Sequence, residues 1–361
     1  MEIIKLTENK YKEWDEFCLA SDDAWFWHTT AWLEYNLNYK ISSKPASKSF
    51  FVVLNGKIVA VCPLVLENYD GGKEFSLGGI QGMTPAFLNS LDKTAKKKIM
   101  KYVFGEIDRL AKENKVKRAN LKFPVLNKSF IEAKRPPNNY LMQFGYLDTS
   151  INMQIIDLKK MVDELRKEVR HGHSYDIGRS SKILRPEIFD SKNINKKIFN
   201  QYTELHHKAA GRVTRPGKTF DIMYNLIERG DAFLIGAKKD NLFIGFSYFF
   251  LYKNNVYYGS SCNDPQARDI PIAHFIQWKA IEWMKKKKYN YYEIGWQEYS
   301  STLSDAPSVK EINIGRFKRG FGGFTAPLFR GEKYYDKKFF QEVYQERIKN
   351  FAASFDGDKN E

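Results

Sequence analysis

The chain has 361 residues, a formal charge of +15 at neutral pH, and 43% apolar and 15% aromatic residues. That composition builds hydrophobic cores and excludes a disordered basic tail, and the length suits about two domains. The longest strongly apolar run, Ile58 to Leu66, falls far short of the roughly 20 residues that span a bilayer, and Met1-Glu2-Ile3-Ile4-Lys5 does not read as an export signal, so a cytoplasmic protein without a transmembrane segment is expected.

The first half reads as a mixed α/β unit. Glu2 to Leu6 suits a strand, while Tyr11 to Leu19 and Thr30 to Leu37 have helical spacing. Phe50 to Leu54, the Asn55-Gly56 turn and Lys57 to Leu66 form a hairpin signal, because both turn positions need positive φ. A Gly-rich stretch at 77–82 follows, then a helix over Ser90 to Asn114 and a strand over Arg118 to Phe123.

The segment Leu158 to Ser181 is basic, and helices are expected over Asn195 to Ala210 and Thr219 to Arg229. The earlier order then recurs: strands at Ala232 to Lys238, Leu242 to Tyr252 and Val256 to Cys262, a helix from Ile272 to Lys287, and a strand at Tyr291 to Ile294. The simplest explanation is tandem duplication of one α/β fold. It gives an N-terminal domain over 1–150, a C-terminal domain over 151–350 and a disordered tail over 351–361.

Cys18, Cys62 and Cys262 have neither metal-ligand spacing nor a disulfide pattern and read as reduced, buried thiols. His171-Gly172-His173 lacks a third ligand at suitable spacing, so no metal site is expected. Signatures of serine hydrolases, P-loop enzymes and zinc proteases are absent. The lysine runs, such as Lys96 to Lys98 and Lys285 to Lys288, read as solvated helix faces. The summed charge still favours an anionic partner: RNA, a nucleotide-sugar or the surface of an anionic membrane.

Two basic elements stand out. Gly211-Arg212-Val213-Thr214-Arg215-Pro216-Gly217-Lys218 follows a helix carrying His206-His207 and suits an anion clamp, since arginine matches phosphate bidentately and lysine adds a point charge. The adjacent histidines point about 100° apart, so one of them faces a core or cleft. Arg316-Phe317-Lys318-Arg319-Gly320-Phe321-Gly322-Gly323 sets glycines beside a lysine, which would let backbone and ammonium approach an oxyanion.

The tandem halves, Phe26-Trp27-His28-Thr29-Thr30-Ala31-Trp32, the Gly78 to Pro85 stretch and the run from Phe317 to Gly323 resemble the FemABX transferases over roughly Ile3 to Tyr344. The resemblance implies two tandem GNAT-like domains, each a mixed, mostly antiparallel sheet flanked by helices. It also implies an N-acyltransferase moving an aminoacyl group from tRNA to an amine of a nucleotide- or lipid-linked amino sugar or muropeptide, with no bound cofactor. Phe317 and Lys318 match the family's Phe-Lys pair where ester meets amine, and Lys318 would stabilise the oxyanion. Arg212, Arg215 and Lys218 would hold acceptor phosphates, and Trp32, His207 and Tyr258 would line the acceptor site. Glu298 and Asp305 are candidate bases.

The chain departs from the family pattern in two respects. No heptad pattern marks a long helical arm, and the loop Arg268-Asp269-Ile270-Pro271-Ile272-Ala273 has proline where acyl-CoA-binding relatives have the first glycine of a pyrophosphate loop. Two alternatives remain at this point. One is an acyl-CoA-dependent GNAT N-acetyltransferase acting on an amino sugar of a surface polysaccharide; the other is a noncatalytic RNA-binding protein.

Overall fold

The structure, a computed structural model, describes residues 1–134 and 137–357, excepting the side chains of 356 and 357. The chain divides into two compact units, the first comprising Met1–Asn152, Glu298–Asn313 and Pro327–Glu361, the second Met153–Gln297 and Ile314–Ala326.

The first unit opens with β1 (Glu2–Lys5), α1 (Tyr11–Ala20), α2 (Thr30–Tyr39), β2 (Ala46–Ser47), β3 (Phe50–Leu54) and β4 (Lys57–Cys62). The β3–β4 turn has Asn55 at φ 52° and Gly56 at φ 75°, as the Asn-Gly pair predicts. The expected long strand to Leu66 is interrupted: β4 ends before Pro63, which has no N–H for a ladder, and β5 (Val65–Tyr69) starts a different sheet. Then come β6 (Gly72–Phe75), β7 (Gly82–Met83), β8 (Ala86–Phe87), α3 (Lys93–Glu113), β9 (Val116–Lys122), α4 (Lys128–Ile131) and β10 (Leu147–Asp148). Asp92 caps α3 by accepting from the amides of Thr94 and Ala95, and Ile99, Val103, Phe104, Ile107 and Ala111 face the core at helical spacing.

The second unit begins with β11 (Ile151–Asp157), α5 (Val162–Glu168), α6 (His171–Ser181), β12 (Arg185–Phe189), α7 (Lys196–Ala210) and α8 (Gly217–Arg229). It continues through β13 (Ala232–Lys239), β14 (Leu242–Tyr252), β15 (Asn255–Asn263), α9 (Ile272–Lys286) and β16 (Tyr291–Gln297). The last elements are α10 (Val309–Arg319), β17 (Phe324–Leu328), β18 (Arg330–Tyr334) and α11 (Lys337–Gly357).

Sheet topology separates the two units. The first has a four-stranded sheet, β1-β3-β4-β8, and a seven-stranded one ordered β10-β18-β9-β6-β5-β2 with β7 beside β9. The second has one seven-stranded sheet, β12-β13-β14-β15-β16-β11-β17. Its core packs Ile272, Phe275, Ile276 and Ile281 of α9 onto Phe233, Phe249, Val256 and Tyr292 of the sheet.

The expected contiguous second domain over 151–350 needs correction. Strand β18 pairs with β9 from Arg330↔Lys122 to Tyr334↔Arg118, so the last segment belongs to the first unit. The bidentate Arg347–Glu332 pair, at 2.7 Å, secures α11 beside it. Residues 351–357, expected as disordered tail, continue α11, and 358–361 lie outside the described residues. Cys18, Cys62 and Cys262 are free thiols and buried. Among the described residues no helix is long and apolar enough to cross a membrane.

Candidate active site

The second unit's sheet splays where its two parallel neighbours part. Strands β15 and β16 pair only through Asn255↔Tyr291, Val256↔Tyr292 and Tyr257↔Glu293. Immediately beyond, the β14–β15 register slips between Tyr248 and Phe249, leaving Gly259 as the extra residue. A bulge bends its strand, so β15 turns away from β16 and the far ends of both are left unpaired with each other. At the root of this wedge the Tyr292 hydroxyl donates to Gln277 Oε1 on α9, and the Tyr258 hydroxyl to Ser261 Oγ at 2.6 Å. Burial pushes both phenols up, so they remain protonated and cannot serve as bases near neutrality.

The far arm of β16 carries the end of α10. Arg319 Nη1 donates to Gln297 Oε1 at 2.9 Å, and Lys318 lies along Gly295. Gly295 has φ +122°, and a Cβ there would sit 2.7 Å from Lys318 Nζ. A glycine inside a strand often marks such an approach, and Gly295 is the sequence signal for it. Phe317, half-buried, sets its ring 4.9 Å from His274, 5.4 Å from His173 and 5.2 Å from Phe321. His173 Nε2 reaches the Phe317 carbonyl at 2.8 Å. Burial and the neighbouring His173 hold the His274 imidazole down at about 4; burial also lowers His173, with Arg170 adding to the shift.

The glycines after Lys318 do something other than expected. A Cβ at Gly320 would strike the His173 ring at 2.2 Å, and one at Gly323 the Ile155 carbonyl oxygen at 2.1 Å. They are consumed by packing against the protein itself, and the room for Lys318 comes from Gly295.

The far arm of β15 carries the other basic element. Tyr202 of α7 hydrogen-bonds Ser260 at 2.6 Å, and the Cys262 thiol reaches the Tyr202 carbonyl. Helix α7 ends at Gly211, whose φ of 65° closes it as the sequence suggests. In the loop, Thr214 Oγ1 lies 3.0 Å from His206 Nδ1, and Arg215 Nη2 lies 3.3 Å from His206 Nε2. The arginine can only donate, so His206 is neutral with its proton on Nδ1. Burial, with Arg215 beside it, pushes His206 down to about 4. The Arg215 guanidinium also lies over the Phe220 ring at 5.3 Å. His206 is thus the histidine facing inward; His207 packs its ring 5.4 Å from Phe220 and leaves Nε2 buried without a hydrogen bond among the described residues. Arg212 and Lys218 are exposed.

Seven of the eight predicted residues, Phe317, Lys318, His207, Arg212, Arg215, Lys218 and Tyr258, belong to elements attached to the splayed strands of the second unit. Trp32 belongs to the first unit, stacked on Tyr35 at 4.9 Å and packed on Trp27 at 4.5 Å. Of the candidate bases, Asp305 is engaged in an ion pair with the buried Arg330 and is unsuited to proton abstraction.

Part of the loop opening α9 is hydrogen-bonded within itself. The amide of Gln266 donates to Asp264 Oδ1, Ala267 to the Asp264 carbonyl, and Ile270 to the Ala267 carbonyl. Ile272 donates to the Ile270 carbonyl, and Pro271, at the helix N-cap, has no N–H.

Comparison with protein-family models yields no match, and neither does comparison with curated proteins. Solved structures do match. A crystal structure of FemX is 14% identical, covers 95% of this chain and 100% of its own, and has a TM-score of 0.66. A tandem GNAT protein from the clavulanic acid biosynthesis pathway is 12% identical over 92% of this chain and 98% of its own, with TM-score 0.55. L-PGS from Bacillus licheniformis is 11% identical over 87% and 93%, also with TM-score 0.55. The chain therefore has a tandem GNAT-like fold, mixed α/β with largely antiparallel sheets flanked by helices. More particularly, its fold is similar to that of FemX over nearly its whole length.

Proposed function

We propose that this protein is an N-acyltransferase that moves an aminoacyl group from aminoacyl-tRNA to an amine of a nucleotide- or lipid-linked amino sugar or muropeptide, a precursor of a cell-wall or cell-surface glycan. The observation carrying this reading is that both basic elements are mounted on the two arms of one splay, with Lys318 lodged at Gly295 on β16. In the proposed reaction the acceptor amine attacks the ester carbonyl and the Lys318 ammonium donates to the developing oxyanion. The intermediate collapses with loss of the ribose oxygen, which takes a proton, and the amine loses one. Phe317, wedged among His173, His274 and Phe321, holds the end of α10 in place. Arg215, oriented by neutral His206, and the exposed Arg212 and Lys218 supply cations for acceptor phosphates, with His207 and Tyr258 of the same unit lining the acceptor.

Pro271 at the start of α9 and the internal hydrogen bonds of the Ile270 and Ile272 amides leave fewer N–H groups there for a pyrophosphate, which favours aminoacyl-tRNA over acyl-CoA as donor. The test is transfer from radiolabelled aminoacyl-tRNA to a UDP-linked muropeptide or amino sugar. Lys318→Met should slow turnover by about 10²–10³-fold with tRNA affinity nearly unchanged. Transfer from acetyl-CoA in place of aminoacyl-tRNA would overturn the donor assignment. A wild-type protein that binds tRNA but acylates no amine would leave an RNA-binding module.

A further inference from the structure

The first unit has an opening of its own. Strand β8 pairs with β4 in one sheet, while β9 lies in the other, paired in parallel with β6 and β7. Between the end of β8 and the end of β9 lies a cavity of about 370 Å³, in the lower part of the range of roughly 300–1,000 Å³ common for small-molecule sites. It belongs wholly to the first unit.

Its charge is already neutralised. Lys96, read from the sequence as part of a solvated lysine run, is half-buried and pairs with Asp23 Oδ2 at 2.7 Å. Asp23 Oδ2 also accepts from the Phe87 amide, and the Lys96 ammonium lies 5.2 Å over the Phe87 ring. A phosphate or carboxylate ligand would have to displace Asp23, so neither lysine nor aspartate favours a charged occupant.

The remaining polar groups divide into committed and uncommitted ones. Asn127 is committed, donating to the Asp23 carbonyl and accepting from the Phe130 amide, each at 2.8 Å. Asn138 and Gln143 are exposed at the lining, and neither side chain has a hydrogen-bond partner among the described residues. Each primary amide offers donors and an acceptor without charge. The apolar wall is aromatic, with Phe123 edge-on to Tyr140 at 4.6 Å and an interplanar angle of 65°. Phe123 and Tyr140 meet edge to face, and the C–H face of a saturated ring packs on a single aromatic face.

We propose that this cavity is a binding site for a neutral carbohydrate, one or two sugar rings set against Phe123 and Tyr140 with hydroxyls hydrogen-bonded by Asn138 and Gln143. The site is independent of acyl transfer and is read by binding alone.

Saturation-transfer NMR and calorimetry on the full chain test it, with glucose, N-acetylglucosamine, maltose and chitobiose as probes at millimolar concentration. Uridine and inorganic phosphate serve as controls. At least one sugar should bind saturably, and Gln143→Ala should weaken it by about tenfold, the loss expected for about one hydrogen bond. Tighter binding of a disaccharide than of its monosaccharide identifies a glycan end as the occupant; equal binding identifies a free sugar. Gln143 is exposed, so its replacement leaves the fold intact, which the thermal melting curve checks. Binding of uridine or phosphate without any sugar overturns the proposal, as does a panel that fails to bind the folded protein. Sugar binding insensitive to both Gln143→Ala and Asn138→Ala overturns it as well.

Discussion

The two units differ in how their sheets are joined and so make different openings. In the second unit β15 and β16 still share three residue pairs, so the wedge stays closed at its root by the Tyr292–Gln277 hydrogen bond and opens only beyond the bulge. In the first unit β8 and β9 lie in separate sheets, with a cavity of about 370 Å³ between their ends. A short parallel ladder therefore separates a splay within one sheet from a gap between two sheets. Lys96 is paired with Asp23, and Arg215 contacts the His206 imidazole and the Phe220 ring.

The comparison is most severely strained at Gly295. Gly295→Ala places a Cβ 2.7 Å from Lys318 Nζ at a φ of +122°, so the ammonium must move. Turnover should fall by about 10²-fold, approaching the Lys318→Met loss, while aminoacyl-tRNA still binds. Near-normal turnover would detach Lys318 from the chemistry.

A smaller effect tests what holds the first unit together without the second unit's continuous sheet. Glu332 accepts from Arg347 at 2.7 Å and pairs with Arg118 at 3.5 Å, while Arg118 also meets Glu74 at 3.0 Å. Glu332→Gln should cost about 3 kcal/mol in urea unfolding and expose α11 to proteolysis. The two guanidiniums hold the Glu332 carboxyl below its usual range despite its burial, whereas burial raises Glu74. The Glu332 contribution is therefore present above its unfolded value of about 4.5 and disappears as pH falls through the lower folded value.

Acid should affect the second unit at milder pH. His206 and His274 are each held down at about 4, below an unfolded value of about 6.5. Protonation then favours the unfolded chain, so stability is full above pH 6.5 and is lost progressively toward pH 4, by about 2–3 kcal/mol for each histidine. Hydrogen exchange in α7 and α9 should accelerate over that window, and His206→Asn with His274→Asn should flatten the dependence. Tyr292→Phe is the mildest change: it removes the hydrogen bond to Gln277 Oε1 at the wedge root and should cost about 1–2 kcal/mol by thermal melting.

Local chemistry was legible throughout. The Asn55-Gly56 turn, the Gly211 helix end and the apolar stripes of α3 and α7 depend on dihedral preference and period, which a few neighbouring residues determine. The two basic segments were also legible, because they are contiguous. The role of the glycines after Lys318 was misread, since a glycine's sequence neighbours do not reveal what it packs against; His173 and Ile155 lie more than a hundred residues upstream.

The sequence by itself determined the duplicated α/β order, the strongly cationic character and the position of Lys318 beside Phe317. Only the tertiary structure decided that β18 and α11 return to the first unit, that Gly295 makes room for the lysine, and that His206 holds Arg215. Each of those depends on pairing between residues distant in the chain or on the space between packed elements. Such contacts form only when the chain has folded, and no local preference encodes them.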